Sequence, residues 1–109
     1  MALSFAEAAA SSHALRSAQA FEIRYHKLVV KEDIPRLPST QRDKIKRAIE
    51  DRLTTHPEAY GKPLRQSLKG YRKLRVGDWR VIFRVEGRKV KIFIIEHRSV
   101  VYKIIRQRV

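Results

Sequence analysis

From Tyr71 onward the chain alternates large apolar residues with arginine and lysine, in the run "YRKLRVGDWRVIFRVEGRKVKIFIIEHRS". A period of two is the signature of half-buried strands, whose successive side chains point to opposite faces. Breaks at Gly77-Asp78 and Glu86-Gly87-Arg88 divide the run into strands at Tyr71 to Val76, Trp79 to Val85 and Lys89 to Ile95. Loops this short join antiparallel neighbours, so the segment reads as a meander. In the middle strand Trp79, Val81, Phe83 and Val85 share one face, while Arg80, Ile82 and Arg84 share the other. The last strand is apolar on both faces apart from Lys91, which predicts a central, doubly covered position.

Upstream, "FEIRYHKLVV" sets Phe21, Ile23 and Tyr25 against Glu22, Arg24 and His26, the pattern of a half-buried first strand. Lys31 to Leu37 fits a short helix with Asp33 as its cap and Pro35 in its first turn, stopped by Pro38. In "STQRDKIKRAIEDRLTTHP" the residues Ile45, Ala48, Ile49 and Leu53 recur at helical intervals behind a capping-box-like Thr40 to Asp43 spacing. A longer helix is therefore predicted there, ending before Pro57. Gly61 and Pro63 make the following segment an irregular connector, and Val100 to Arg108 reads as a short helix or an irregular tail. The expected fold is α+β: an antiparallel meander sheet with an N-terminal strand and two helices packed on one face. Its opposite face is where Lys73, Arg75 and Arg80 would gather.

Residues 1–20, "MALSFAEAAASSHALRSAQA", are rich in alanine and serine and nearly uncharged, unlike residues 21–109, which read as one domain. Three readings compete for this N-terminal extension: an upstream addition or misplaced start, an alanine-rich helix docked on the body, and a targeting peptide. The last lacks a basic n-region and a sustained apolar run.

Charge sharpens the picture. The 109 residues carry 25 Lys and Arg against 11 Asp and Glu, a formal net charge of +14. So large an excess repels itself in a compact state and points to a polyanionic partner. Nucleic acid outranks a membrane surface, because the basic residues lie in strand-like segments rather than on an amphipathic helix. The absence of cysteine excludes disulfides and thiolate zinc sites and is compatible with a reducing cytoplasm.

No nucleophile-elbow pattern is present, the four histidines are isolated from one another and from paired carboxylates, and the glycines sit at turns rather than in a phosphate-binding loop. What remains is a basic surface with aromatics interleaved, which suits RNA: cations bind phosphates while rings stack on unpaired bases. Cutting RNA requires little more. With the neighbouring 2′-hydroxyl as nucleophile, a protein must hold an in-line geometry, stabilise the pentacovalent anion and move two protons. Arginine can stabilise the anion but stays protonated, so a lysine crowded by arginines is the better proton acceptor.

The stretch "LKGYRKLRVGDWRVIFRVEGRKVKIFIIEHRSVVY" resembles the second half of RelE-type toxins of bacterial toxin–antitoxin pairs. Their pattern is a tyrosine-led basic strand, a glycine–aromatic–arginine entry into an apolar strand, then "HR" with a tyrosine four residues beyond the arginine. With "KPLRQSLKG" and the strand and helices before it, the likeness runs from Phe21 to Arg108. It implies the RelE-like fold and a cytoplasmic endoribonuclease needing no metal or cofactor. Such a protein would enter the ribosomal A site, contact rRNA, and cleave mRNA to leave a 2′,3′-cyclic phosphate. A cognate RelB-like antitoxin would block it, and operator DNA would be reached only through that complex.

Carried over by the same resemblance, Arg80 stabilises the phosphate and Arg98 stands near the leaving group. Lys73 belongs to the basic preceding strand, with Arg72 a contributor, and Tyr102 orients or stacks on the nucleotide. The family's best-studied form alternates two lysines on that strand, whereas "YRKLR" offers Arg72, Lys73 and Arg75 at a different spacing. Arg72, Arg75, Arg84, Lys91 and His97 are the expected RNA contacts, with His97 open between proton transfer, a structural role and an rRNA contact. Trp79 reads as a core or rim aromatic. Two other readings use the same scaffold: a ParE-type, non-enzymatic inhibitor of DNA gyrase, against which "HRSVVY" argues, and a catalytically inactive RNA-binding homologue.

Overall fold

The computed structural model describes residues 20–109, so the readings of the segment before Ala20 lie outside the described residues. Its sheet contains β1 (Glu22–Tyr25), β2 (Lys62–Pro63), β3 (Arg72–Val76), β4 (Trp79–Glu86) and β5 (Lys89–His97), in the spatial order β1-β5-β4-β3-β2. The last three strands form the expected meander. β1, however, lies parallel to β5, with Glu22 opposite Lys89 and Tyr25 opposite Ile92. The sheet is therefore mixed, not purely antiparallel. A parallel neighbour requires a long connection, and the helices between β1 and β3 are part of it. β5 is an interior strand, second in the strand order, with β4 rather than β5 at the centre; it is apolar both ways, Val90, Ile92 and Ile95 packing to one side and Ile94 to the other.

Helix α1 is a π-helical turn, Val29–Asp33, that continues as Ile34–Arg36; α2 runs Ser39–Ala48 and continues as a π-helical turn, Ile49–Leu53. A short α3 (Pro57–Tyr60) precedes β2, and α4 (Val101–Arg108) ends the fold, so the final segment is a helix rather than a tail. The predicted stripe Ile45, Ile49 and Leu53 joins Val29, Ile34 and Leu37 against Leu74, Val81, Phe83, Val90, Ile92 and Ile95. Neither expected side-chain cap forms. Asp33 lies within the helical run and is buried, and α2 begins after Pro38, whose carbonyl accepts the Arg42 N–H at 2.8 Å.

Helices are not confined to one face. Val101 and Ile105 of α4 bury Ile82, Ile94 and Leu68 in a second apolar cluster on the far side. The face expected to be wet is thus covered through its middle.

Two features fix that arrangement. Ile82 pairs with Ile94 but Phe83 with Ile92, so Phe93 is an extra residue and β5 bulges there. Past the end of β1, the freed backbone of β5 is taken by side chains. Asp33 Oδ2 accepts the Ile95 N–H at 3.0 Å, and Arg108 Nη1 donates to the Phe93 carbonyl at 3.0 Å. Arg108 also grips Asp33 with both terminal nitrogens, at 2.7 and 3.2 Å, and the two side chains are 5% and 0% exposed. The pair ties α1, β5 and the last turn of α4 together, and each charge depends on the other for compensation.

Candidate functional site

Leu74 and Val76 turn toward α1 and α2, which leaves Lys73 and Arg75 on the α4 side of β3. Arg75 stands directly opposite Arg80, and Arg80 opposite Glu96 on the next strand. Like charges in register disfavour a hairpin, and Glu96 on the other flank of Arg80 offsets part of that repulsion.

The loop between β3 and β4 is the two-residue turn Gly77-Asp78, with φ of +60° at Gly77, a conformation suited to glycine. Its carbonyls gather two arginines. Arg80 Nη1 donates to the carbonyls of Gly77 and Trp79, each at 2.9 Å. The Arg98 N–H donates to the Asp78 carbonyl at 2.8 Å, while its Nε stands 3.6 Å from Asp78 Oδ1. The Arg98 and Asp78 side chains are 63% and 68% exposed, and so open an ion pair holds its arginine weakly. Its guanidinium is available to another anion.

Farther along this face, the first turn of α4 places the Tyr102 ring 5.8 Å from Lys73 Nζ. The two residues sit beside the arginine end, because Lys73 and Arg75 are two positions apart on β3, roughly 7 Å. Arg80, Arg98, Arg75, Lys73 and Tyr102 are thus brought to one end of the sheet.

Other predicted residues lie elsewhere. Arg72 faces the helix side, where its Nη1 donates to the carbonyls of Gly61 at 3.0 Å and Glu58 at 3.3 Å, anchoring α3 to the sheet edge. His97 is opposite Trp79, ring edge against ring face with centroids 5.6 Å apart, and Trp79 packs on the helix-side core. The His97 Nδ1 lies 2.8 Å from Ser99 Oγ and accepts the Ser99 N–H at 3.2 Å, so a neutral ring carries its proton on Nε2. Arg84 and Lys91 oppose each other at the other end of the α4 face.

Glu96 escaped the sequence reading although it adjoins the "HR" pair. Counting back from Arg84 opposite Lys91 without a bulge would put Ile95 beside Arg80; the extra Phe93 puts Glu96 there instead. Among the described residues no group of three or more His, Cys, Asp or Glu is placed to hold a metal ion, and no helix is long and apolar enough to cross a membrane.

A family model described as the ParE toxin of the type II toxin-antitoxin system, parDE, matches residues 23–102, a span that contains every strand beyond the first residue of β1 and all the residues gathered above. The chain belongs to the RelE/ParE superfamily of type II toxins. Toxin RelE of Mycobacterium tuberculosis is 33% identical over 73 residues, which are 65% of this chain and 75% of that protein. In structure, this RelE/ParE toxin resembles the toxin–antitoxin complex RelBE2 of M. tuberculosis, with a TM-score of 0.67 and 25% identity over 76% of this chain and 97% of that one. The RelB–RelE antitoxin–toxin complex of Methanococcus jannaschii shares the fold at a TM-score of 0.59 and 23% identity, covering 74% of this chain and 96% of that one. The RelE-like α+β architecture expected from the basic strand motifs is therefore present.

Proposed function

We propose that this toxin is a ribosome-dependent endoribonuclease that cuts mRNA in the A site. The observation that carries the reading is the convergence of Arg75, Arg80 and Arg98 at the Gly77-Asp78 turn, beside Lys73 and Tyr102. That set supplies what 2′-hydroxyl attack lacks. The 2′-oxygen forms a bond to the adjacent phosphorus and the P–O5′ bond breaks, giving a 2′,3′-cyclic phosphate and a 5′-hydroxyl. Arg80 and Arg75 offset the charge that builds on the phosphoryl oxygens, as preorganised donors in a fixed turn do at little reorganisation cost. Lys73, as the neutral amine, takes the 2′-hydroxyl proton and becomes an ammonium, Tyr102 orients the nucleotide, and Arg98 hydrogen-bonds the departing 5′-oxygen, which takes its proton from solvent.

The net charge of +14 brings the chain to rRNA, and a RelB-like antitoxin is the partner that would neutralise it. Two structural relatives are antitoxin–toxin complexes, which supports that partner. Primer extension on translated mRNA, with purified protein and ribosomes, is expected to show A-site cuts that vanish in Arg80→Ala and Arg98→Ala variants. A second reading has its own support, since the matching family model is described as a ParE toxin. Intact mRNA together with gyrase-dependent DNA breaks would establish that reading in place of the first.

A further inference from the structure

The α4 face carries a second concentration of positive charge, away from the Gly77-Asp78 turn. Arg84 of β4 and Lys91 of β5 are directly opposite, again a like-charge pair in register. Each lies near an aromatic ring, Arg84 5.7 Å from the Tyr71 centroid and Lys91 5.1 Å from the Phe93 centroid. The two rings meet edge to face at 5.1 Å, and His26, just past β1, stands 6.1 Å from Phe93. The bulge puts Phe93 on this side: with one residue inserted, Phe93 and Ile94 both pack toward α4.

His26 reports the local field. Burial, then the charges of Arg108, Lys91 and Lys27, hold its imidazole below the ordinary histidine range, against the opposing pull of Asp33. Its Nδ1 accepts the Leu28 N–H at 3.0 Å, so the neutral ring offers an Nε2–H donor. Cations and a ring N–H therefore surround an aromatic floor, with Arg84 also in an exposed, weakly held ion pair with Glu86 at 3.5 Å. Such a floor favours a phosphodiester with its base over an acidic peptide, because a base stacks on a ring or guanidinium plane, whereas a carboxylate is repelled by the ring's negative face.

We propose that Arg84, Lys91 and His26, above the Phe93–Tyr71 floor, form a second subsite that grips a phosphodiester and stacks a base of single-stranded RNA at a distance from the cut. It rests on the reading that the toxin acts on RNA and extends that site. Arg84 is four residues along β4 from Arg80, roughly 13 Å, so one RNA strand can engage both groups. The subsite positions the strand; it contributes no group to bond breaking.

The test is an NMR titration of the full chain with a 2′-O-methyl hexanucleotide, which cannot be cut because its attacking hydroxyl is blocked. The ring signals of His26, Phe93 and Tyr71 are expected to shift saturably, and the His26 titration midpoint to rise. Arg84→Gln combined with Lys91→Gln should abolish those shifts and weaken binding about tenfold. The slope of log affinity against log salt should flatten by about 0.7 for each phosphate no longer neutralised. The Tyr102 signals should still respond in that variant. If only Tyr102 and its neighbours respond in the wild type, the second subsite is wrong while the RNA reading stands. If no ring responds anywhere, the RNA reading falls and takes this proposal with it. A glutamate-rich peptide that shifts His26 and Phe93 more strongly than the oligonucleotide would make the patch a protein-binding surface and overturn the assignment.

Discussion

On the helix side of the sheet, Leu74, Val81, Phe83, Val90, Ile92 and Ile95 meet α1 and α2, and none is more than 2% exposed. On the other side α4, with Leu64 and Leu68 from the connector, covers Ile82 and Ile94, and beyond that cover the same strands carry Arg75–Arg80 and Arg84–Lys91. One face is thus assembled for stability, while the other keeps like charges in register at both ends. Each fully buried aliphatic or aromatic side chain contributes about 1.5–3 kcal/mol, so the many on the first side can offset repulsion on the second. The repulsion on the basic face is tolerated because the opposite face buries an extensive apolar core, with Arg72 and His97 only at its margins.

The hardest way to break this division is to attack what joins the faces. Asp33→Asn or Arg108→Met leaves a buried partner without its counter-charge and should lower stability by about 3–5 kcal/mol in urea unfolding. The double change Asp33→Leu with Arg108→Met should recover most of that loss; if it does not, the hydrogen bonds to Ile95 and Phe93 matter more than the charges. Next comes Arg80→Ala. Removing a positioned charge stabiliser should cut mRNA cleavage about 10²–10³-fold with the unfolding midpoint unchanged. A midpoint that drops along with activity would show that the two faces are not energetically separate.

Gly61→Ala probes the helix side alone. A Cβ there would lie 2.3 Å from the Phe83 ring, which is fully buried and cannot retreat, so a loss of about 1–3 kcal/mol is expected with binding of RNA intact. Arg75→Gln does the reverse. It relieves the repulsion with Arg80, so the melting temperature should hold or rise slightly while RNA affinity falls and its salt dependence flattens.

The smallest effect is that of pH. His26 is held below its usual value of 6.5 in the folded chain, first by burial and then by Arg108, Lys91 and Lys27. The neutral ring is the one that suits the fold, so its contribution is complete above pH 6.5 and is lost as pH falls through the lower folded value. His26→Gln should remove that part of the acid sensitivity, measured as the unfolding midpoint between neutral and mildly acidic pH.

Much of this was legible in the residues. The two turns that separate β3, β4 and β5 follow from a period of two broken at glycines, although β4 runs one residue and β5 two residues beyond their expected ends, to Glu86 and His97; the face assignment of Trp79, Val81 and Phe83 against Arg80 and Ile82 holds. The Ile45, Ile49 and Leu53 stripe marked α2 because a helical repeat is equally local. The expected cap at Asp33 failed for a different reason. Asp33 has a partner 75 residues away in Arg108, and that buried pairing outweighs what a local N–H could offer.

What the sequence determined by itself, then, is whatever depends on neighbours within a turn or a strand: alternation, turn positions, the amphipathic stripe, and the placing of Arg80, Lys73 and Arg75 on one side of a hairpin. Only the tertiary structure decided that β1 runs parallel beside β5, that α4 divides the basic face, and that one extra residue at Phe93 puts Glu96 beside Arg80. The physical reason is range. Steric and hydrogen-bonding preferences act between adjacent residues, whereas strand order, bulges and buried ion pairs are settled by which distant surfaces exclude water together.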